Sequence, residues 1–338
     1  MATLAELILE RDKERRRMRS RSTTPRMSDV VAAQNQPALE LINEGEARLS
    51  AVCGVASPRR STRLRLRRRA LHPAKTRASN VPIICRRLSN FKLEIEYDGA
   101  RYYGWQVQNT KKARYPVNKT IQYALEKVLK RILQEDIKLI VAGRTDSGVH
   151  ALAQVANFKS ATKMEPQRLR WAINCLLPED IKVTGIKKVA ADFNSRFSAK
   201  SKIYRYTILN RKYSSPLLAS RVYFFHHPLD TGLMRKEAKA LLGKHSFKAF
   251  QASESRLRNP VRTVKNIRVI KEKDLIHIEI EADSFLYNMV RNIAGTLLEI
   301  GRGHFQKGSM QRILESKDRR LAGPTLPAKG LCLVKIKY

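Results

Sequence analysis

Phe91, Leu93, Ile95 and Tyr97 alternate with polar residues, the two-residue period of a strand with one buried face. Asp98 and Gly99 follow with turn chemistry. The period then lengthens: Ile121, Leu125, Val128, Leu129 and Ile132 fall on one side of a helix over 120–133. A strand over 137–142, a Gly-punctuated loop over 143–150 and a strand over 153–158 come next. A helix over 166–176 and strands over 181–189 and 203–209 follow. The later part resembles the earlier in outline, with a helix over 231–242 and a hairpin of alternating segments, 261–270 and 275–282, around the polar stretch 271–274. Residues 284–300 read as an amphipathic helix with Phe285, Met289, Val290, Ile293 and Leu297 as its stripe and Gly301 as its C-cap. A short helix over 308–314 and a strand over 331–338 close the chain. Strands and helices mix without a regular βαβ rhythm, which predicts an α+β fold: antiparallel sheet with helices on one face.

Residues 1–90 break this patterning. A charged block over 10–17 leads through a polar stretch to an Arg-rich segment over 59–69, and no acid occurs over 49–93. The Arg- and Ser-rich part is like an organelle transit peptide, but the start of the chain is too acidic for one. Two readings fit: a basic arm without fixed structure, or a segment upstream of a true start near Val81 or Leu88. N-terminal sequencing of the native protein separates them.

The chain has 338 residues, about two domains' worth, and no apolar run of membrane-spanning length. Its 67 Lys and Arg against 30 Asp and Glu give a net charge of +37. The first 90 residues and the remainder are each basic. Such an excess points to a polyanionic partner, nucleic acid before an acidic membrane surface. Cys53, Cys85, Cys175 and Cys332 are far apart and form no CxxC pair. That spacing predicts neither a metal site nor a disulfide framework, and a reducing compartment.

The segment with most chemical content is Ala142-Gly143-Arg144-Thr145-Asp146-Ser147-Gly148-Val149-His150-Ala151. Two glycines bracket a carboxylate at a strand end, where the backbone can come close to a ligand. Taken alone, the pattern also fits a turn in which Asp146 accepts a hydrogen bond from its own backbone. It lacks the spacing and the Gly-Lys-Ser/Thr ending of a phosphate loop.

That segment resembles the signature of the tRNA pseudouridine synthase A family, and four further motifs match in order. They are Tyr97-Asp98-Gly99 with Gly104-Trp105-Gln106; FNSRFSAKSKIYRY from Phe193 to Tyr206; FLYNMVRNIAG from Phe285 to Gly295; and DRRLAGPT from Asp318 to Thr325 with Gly330-Leu331. The resemblance covers 91–338. It implies two similar halves of mixed, mostly antiparallel sheet, approximately 91–200 and 201–338, around a central basic RNA-binding cleft. It implies an isomerase that cleaves the glycosidic bond of a uridine in the tRNA anticodon stem-loop, rotates the base and rejoins it through C5. It implies Asp146 as the catalytic carboxylate, attacking sugar or base, and no cofactor or metal. Tyr204 would stack on the uracil, Arg291 would pair with Asp146, Arg144 would help displace the target base, and Leu331 would floor the site. The partners implied are tRNA and a second copy of the chain; no membrane partner is expected, and the location would be cytoplasmic, or organellar if the N-terminal segment is real. Organellar tRNA, rRNA or mRNA substrates and a non-catalytic RNA-binding role are the rivals.

Basic residues expected to hold phosphates are Arg168, Arg170, Lys200, Lys202, Arg205, Arg211, Lys212, Arg256, Arg258 and Arg262. The basic stretch 109–116 departs from the family pattern.

Overall fold

A computed structural model describes residues 88–107, 116–252 and 259–338. The expected arm up to residue 87, most of the 109–116 stretch, and Arg256 and Arg258 lie outside the described residues. The first strand, β1 (Ser89–Tyr97), starts two residues earlier than its alternation indicated. Phe91, Leu93, Ile95 and Tyr97 point into the core, and Lys92, Glu94 and Glu96 lie on the other side.

The fold is α+β. The sheet has ten strands: β1, β2 (Ile140–Val141), β3 (His150–Ser160), β4 (Ile181–Val189), β5 (Ser201–Asn210), β6 (Tyr223–Phe225), β7 (Gly243–Ser246), β8 (Val261–Glu272), β9 (Leu275–Ala282) and β10 (Leu331–Lys337). Their order is β4-β1-β3-β10-β5-β9-β8-β7, with β2 beside β3 and β6 beside β5. Pairing is antiparallel except at β3–β10 and β5–β6. The closing strand therefore joins the early strands to the later ones and sets β5, which carries Tyr204, near β3, which follows the Asp146 loop.

Five α-helices lie among the described residues: α1 (Ile121–Leu133), α2 (Pro166–Leu176), α3 (Thr231–Ala238), α4 (Met289–Gly301) and α5 (Ser309–Ser316). Thr120 caps α1 by accepting from the Tyr123 N–H, and Gln134 closes it in a left-handed conformation. The apolar face of α1 buries Ile121, Leu125, Val128 and Leu129. Each such side chain contributes about 1.5–3 kcal/mol by leaving water.

The helix expected from 284 starts five residues later. Asn288 holds φ 61°, left-handed backbone that an α-helix cannot continue through. Nor is α4 amphipathic: every residue but Arg291 is buried. Gly301 is its last helical residue rather than its cap. A Cβ there would lie 2.7 Å from Met234 Sδ, so this glycine serves close packing. The C-terminal segment laces onto α4. The Gly323 N–H donates to Thr296 Oγ1 at 2.9 Å, Arg319 Nη2 donates to Asn292 Oδ1 at 3.1 Å, and Arg291 Nε donates to the Leu326 carbonyl at 2.6 Å. No helix among the described residues is long and apolar enough to cross a membrane.

Candidate active site

The backbone of the loop between β2 and β3 is held on both sides of Asp146. The Ala142 N–H donates to the Val155 carbonyl at 2.9 Å, and the Ala142 carbonyl accepts from Lys202 Nζ at 2.7 Å. Gln154 Nε2 donates to the Gly143 carbonyl at 2.8 Å. Thr145 shares a hydroxyl hydrogen bond with Tyr97 at 2.8 Å and accepts at its carbonyl from the Trp105 N–H at 3.0 Å. The Gly148 N–H reaches the Tyr102 carbonyl, and the Val149 N–H the Asp146 carbonyl, each at 3.2 Å. Gly104, at φ +81°, lets the chain before Trp105 pass against the loop. The opening motif thus serves as the brace of the Asp146 loop.

Against this fixed backbone the side chains of Arg144 and Asp146 stay uncommitted. Among the described residues neither makes a hydrogen bond or an ion pair. The Asx turn that the sequence allowed does not form. His150, at the start of β3, is tied by its ring to Asp98, the Gly99 N–H and the Ser220 carbonyl.

Asp146 opens into a cavity of about 870 Å³. Arg144, Tyr204 and Leu331 also line it, so four of the five expected site residues share one space. Tyr204 is buried, with its ring edge-on to Phe285 at 5.0 Å between centroids. Tyr206, on the same strand face, spends its hydroxyl on the Pro327 carbonyl at 2.8 Å and is packing. Arg291 is not part of the cavity wall. Its Nη1 donates to Asn288 Oδ1 at 2.8 Å and its Nε to Leu326, and the expected bidentate pair with Asp146 does not form.

Electrostatics set the protonation of these groups. Burial raises the Asp146 carboxyl above its ordinary value, and the nearby Arg291 charge partly offsets this. Burial first, then Tyr97 and Asp146, push Tyr204 upward, so its hydroxyl stays neutral at physiological pH. Burial, with the charge of Arg196, lowers the Lys202 ammonium. A carboxylate short of hydration and of partners is a stronger nucleophile or base than one in water.

The expected phosphate-binding residues divide. Lys202 and Arg262 line the cavity. Arg205 does not: it faces Glu279 across β5 and β9, which also pairs with Arg268 on β8, in a three-strand ladder. Arg170 donates to the Thr184 carbonyl, and Arg211 pairs with Asp274. Arg168, Lys200 and Lys212 are exposed or partly exposed away from the cavity wall. Sequence reasoning missed Arg196, Phe197 and Phe285 as cavity residues, although each falls inside a quoted motif. It also missed the brace made by Lys202, for which a signal existed: Lys202 lies two positions before Tyr204 and so shares its strand face.

The profile of the tRNA pseudouridine synthase family, which are isomerases, matches residues 94–198 and 238–338. The chain is therefore of the class of base-isomerising enzymes. A tRNA pseudouridine synthase A from Thermoanaerobacter sp. (strain X514) is 45% identical over 251 residues, 74% of this chain and all of that protein. Those of Caldicellulosiruptor saccharolyticus and Clostridium perfringens (named tRNA pseudouridine synthase A 2) are 43% and 42% identical over the same length, again 74% of this chain and 100% of each relative. The chain belongs to the tRNA pseudouridine synthase A family.

Proposed function

We propose that this chain converts uridine to pseudouridine in the anticodon stem-loop of tRNA, with Asp146 as its catalytic carboxylate. The bond between N1 and C1′ breaks, the uracil rotates, C5 bonds to C1′, the C5 proton leaves to solvent, and N1 takes up a proton, so that the product is an isomer of the substrate. Asp146 acts as the nucleophile, toward sugar or base, and takes part in the proton movements. Tyr204 stacks on the uracil and Leu331 floors it. Arg291 tunes the charge of Asp146 and closes on it when substrate enters. Arg144 helps displace the base, whose extrusion costs a few kcal/mol. The wider arrangement proposed is two similar halves, helices on one sheet face, a basic cleft for the RNA, and a homodimer working in the cytoplasm.

The observation that carries this reading is the Asp146 carboxylate, half-buried, without a protein partner among the described residues, on a backbone pinned on both sides. The test is tritium release from tRNA transcripts carrying 5-tritiated uridine, with wild type and Asp146→Ala compared at matched RNA binding. Release by wild type alone is the expected result. Release that survives in Asp146→Ala refutes the role of the carboxylate. Tight binding with no release from any tRNA refutes the substrate.

A further inference from the structure

Phe197 is 78% exposed, yet it stands in the wall of the cavity that holds Asp146. Leaving a phenyl ring in water forgoes the stabilisation that burial gives it. Among the described residues, the other strongly exposed aromatics, Trp171 and Tyr213, are not part of the cavity wall. The turn that presents Phe197 is tightly held. Asn194 Oδ1 accepts from the N–H groups of Arg196 at 3.0 Å and Phe197 at 3.3 Å, and the Ser198 N–H returns to the Asn194 carbonyl at 2.9 Å. Ser195, fully buried, ties the turn to β2 through the Ile140 carbonyl. The Arg196 guanidinium lies 5.5 Å from the centre of the Phe197 ring. Arg144, Lys202 and Arg262 share the cavity wall with them. A rigidly held, exposed ring beside a guanidinium, at an opening rich in positive charge, matches a flat apolar group attached to an anion.

We infer that Phe197 is a stacking platform for the nucleobase next to the uridine that enters the cavity, with Arg196 beside it for the adjoining phosphate. The inference rests on the proposed RNA substrate and adds to it a recognition element outside the reacting atoms. Stacking needs only a π-face, so it tolerates any neighbouring base. It holds the strand in place while the target is out of the helix.

The test compares Phe197→Ala, Phe197→Leu and Phe197→Trp with wild type. Readouts are Kd for a fluorescently labelled, unmodified tRNA transcript, and KM and kcat by tritium release. Phe197→Ala is expected to raise Kd and KM roughly 5- to 150-fold, with a smaller effect on kcat. Its unfolding midpoint should match wild type, since the ring is exposed. Phe197→Trp restores binding and Phe197→Leu does not. In transcripts with an abasic residue immediately 5′ or 3′ of the target, the penalty disappears for one of the two. Wild-type binding by Phe197→Ala, equal rescue by Leu and Trp, or a penalty that persists in both abasic transcripts overturns the inference. A wild type that binds tRNA without releasing tritium defeats the proposed reaction, while the Kd ratios still decide the role of Phe197. A wild type that does not bind tRNA defeats both.

Discussion

Gly104→Ala is the most informative single substitution, because two costs that usually travel together can be separated here. Gly104 has φ +81°, and an added Cβ would lie 2.5 Å from the Thr145 carbonyl oxygen, 3.0 Å from the Asp146 carbonyl carbon and 3.1 Å from the Ser147 nitrogen. All three neighbours are backbone atoms around the Asp146 side chain, so no side chain can swing away. Restoring ordinary contact with the oxygen needs a shift of about 0.9 Å, and a displacement of about 1 Å at a reacting group costs roughly 100-fold in rate. Left-handed backbone costs an alanine about 1–2 kcal/mol in addition. Gly303 has φ +80° and nothing within 4 Å of its added Cβ, so Gly303→Ala carries the backbone strain alone. Each variant should lower the unfolding midpoint by a few degrees, at about 2–4 °C per kcal/mol for a domain of this size. Only Gly104→Ala should lose about 100-fold in single-turnover tritium release, measured well below its melting temperature. A folded Gly104→Ala with wild-type turnover, or a Gly303→Ala that loses as much, refutes the claim that loop position governs the rate.

Lys202→Met removes the donor to the Ala142 carbonyl; leaving that acceptor unpaired costs about 1–3 kcal/mol, toward the low end because the ammonium is itself poorly hydrated. Turnover should fall more than affinity does, and a KM effect alone would count against a bracing role. Asp146 is raised by burial in the folded state, so its contribution is fully present below the ordinary carboxylate pKa and is lost as pH rises through the folded value. Asp146→Asn should therefore be inactive yet melt higher than wild type at neutral pH, with the gain closing in acid; equal midpoints at neutral pH would contradict the burial cost. Burial works to raise Glu279, but hydrogen bonds from Arg205 and Arg268 hold it below its ordinary value, so its stabilisation is present above the unfolded carboxylate pKa and lost as pH falls through the folded one. Glu279→Gln should lower stability at neutral pH and flatten its loss in acid, seen in urea midpoints between neutral and acidic buffers.

Much of the fold was legible because periodicity and end signals agreed. Pro166 at the helix start set α2 at 166–176, and the alternation of Leu275 to Ala282 set β9. What was not legible depended on distant partners. β7 (Gly-Lys-His-Ser) has no apolar alternation and exists because β8 pairs with it. The strand expected over 137–142 forms ladder bonds only at Ile140 and Val141. The start of α4 was misplaced because nothing in Ser284-Phe285-Leu286-Tyr287 advertises the left-handed turn at Asn288. Motif resemblance named Asp146, Tyr204, Arg144 and Leu331, and the fold brings these four to the wall of one cavity. Spacing could not show that Arg291 is engaged by Leu326 and Asn288, since that depends on the C-terminal segment crossing α4.

The unpaired state of Asp146 bears on how binding and chemistry are coupled. A permanent bidentate pair with Arg291 would pull the carboxyl down and satisfy its lone pairs, stabilising the fold but blunting the nucleophile. Here Arg291 is near enough to offset part of the burial cost, while its Nη1 donates to Asn288 Oδ1 and its Nε to the Leu326 carbonyl. The protein therefore holds an energetically disfavoured carboxylate on a braced loop, and in the proposed reaction substrate entry relieves it. Extruding a stacked uridine costs a few kcal/mol, and phosphate contacts and stacking at the rim help offset that cost. If Arg291 turns from Asn288 to Asp146 on entry, freeing it early should favour the resting pair at the expense of turnover. Asn288→Gly keeps the left-handed backbone and removes the Oδ1 acceptor, so it isolates this effect. It should lower the apparent pKa of Asp146 in the pH–rate profile and reduce kcat while leaving the fold intact; an unchanged profile would mean that Asn288 does not hold Arg291 away from the carboxylate.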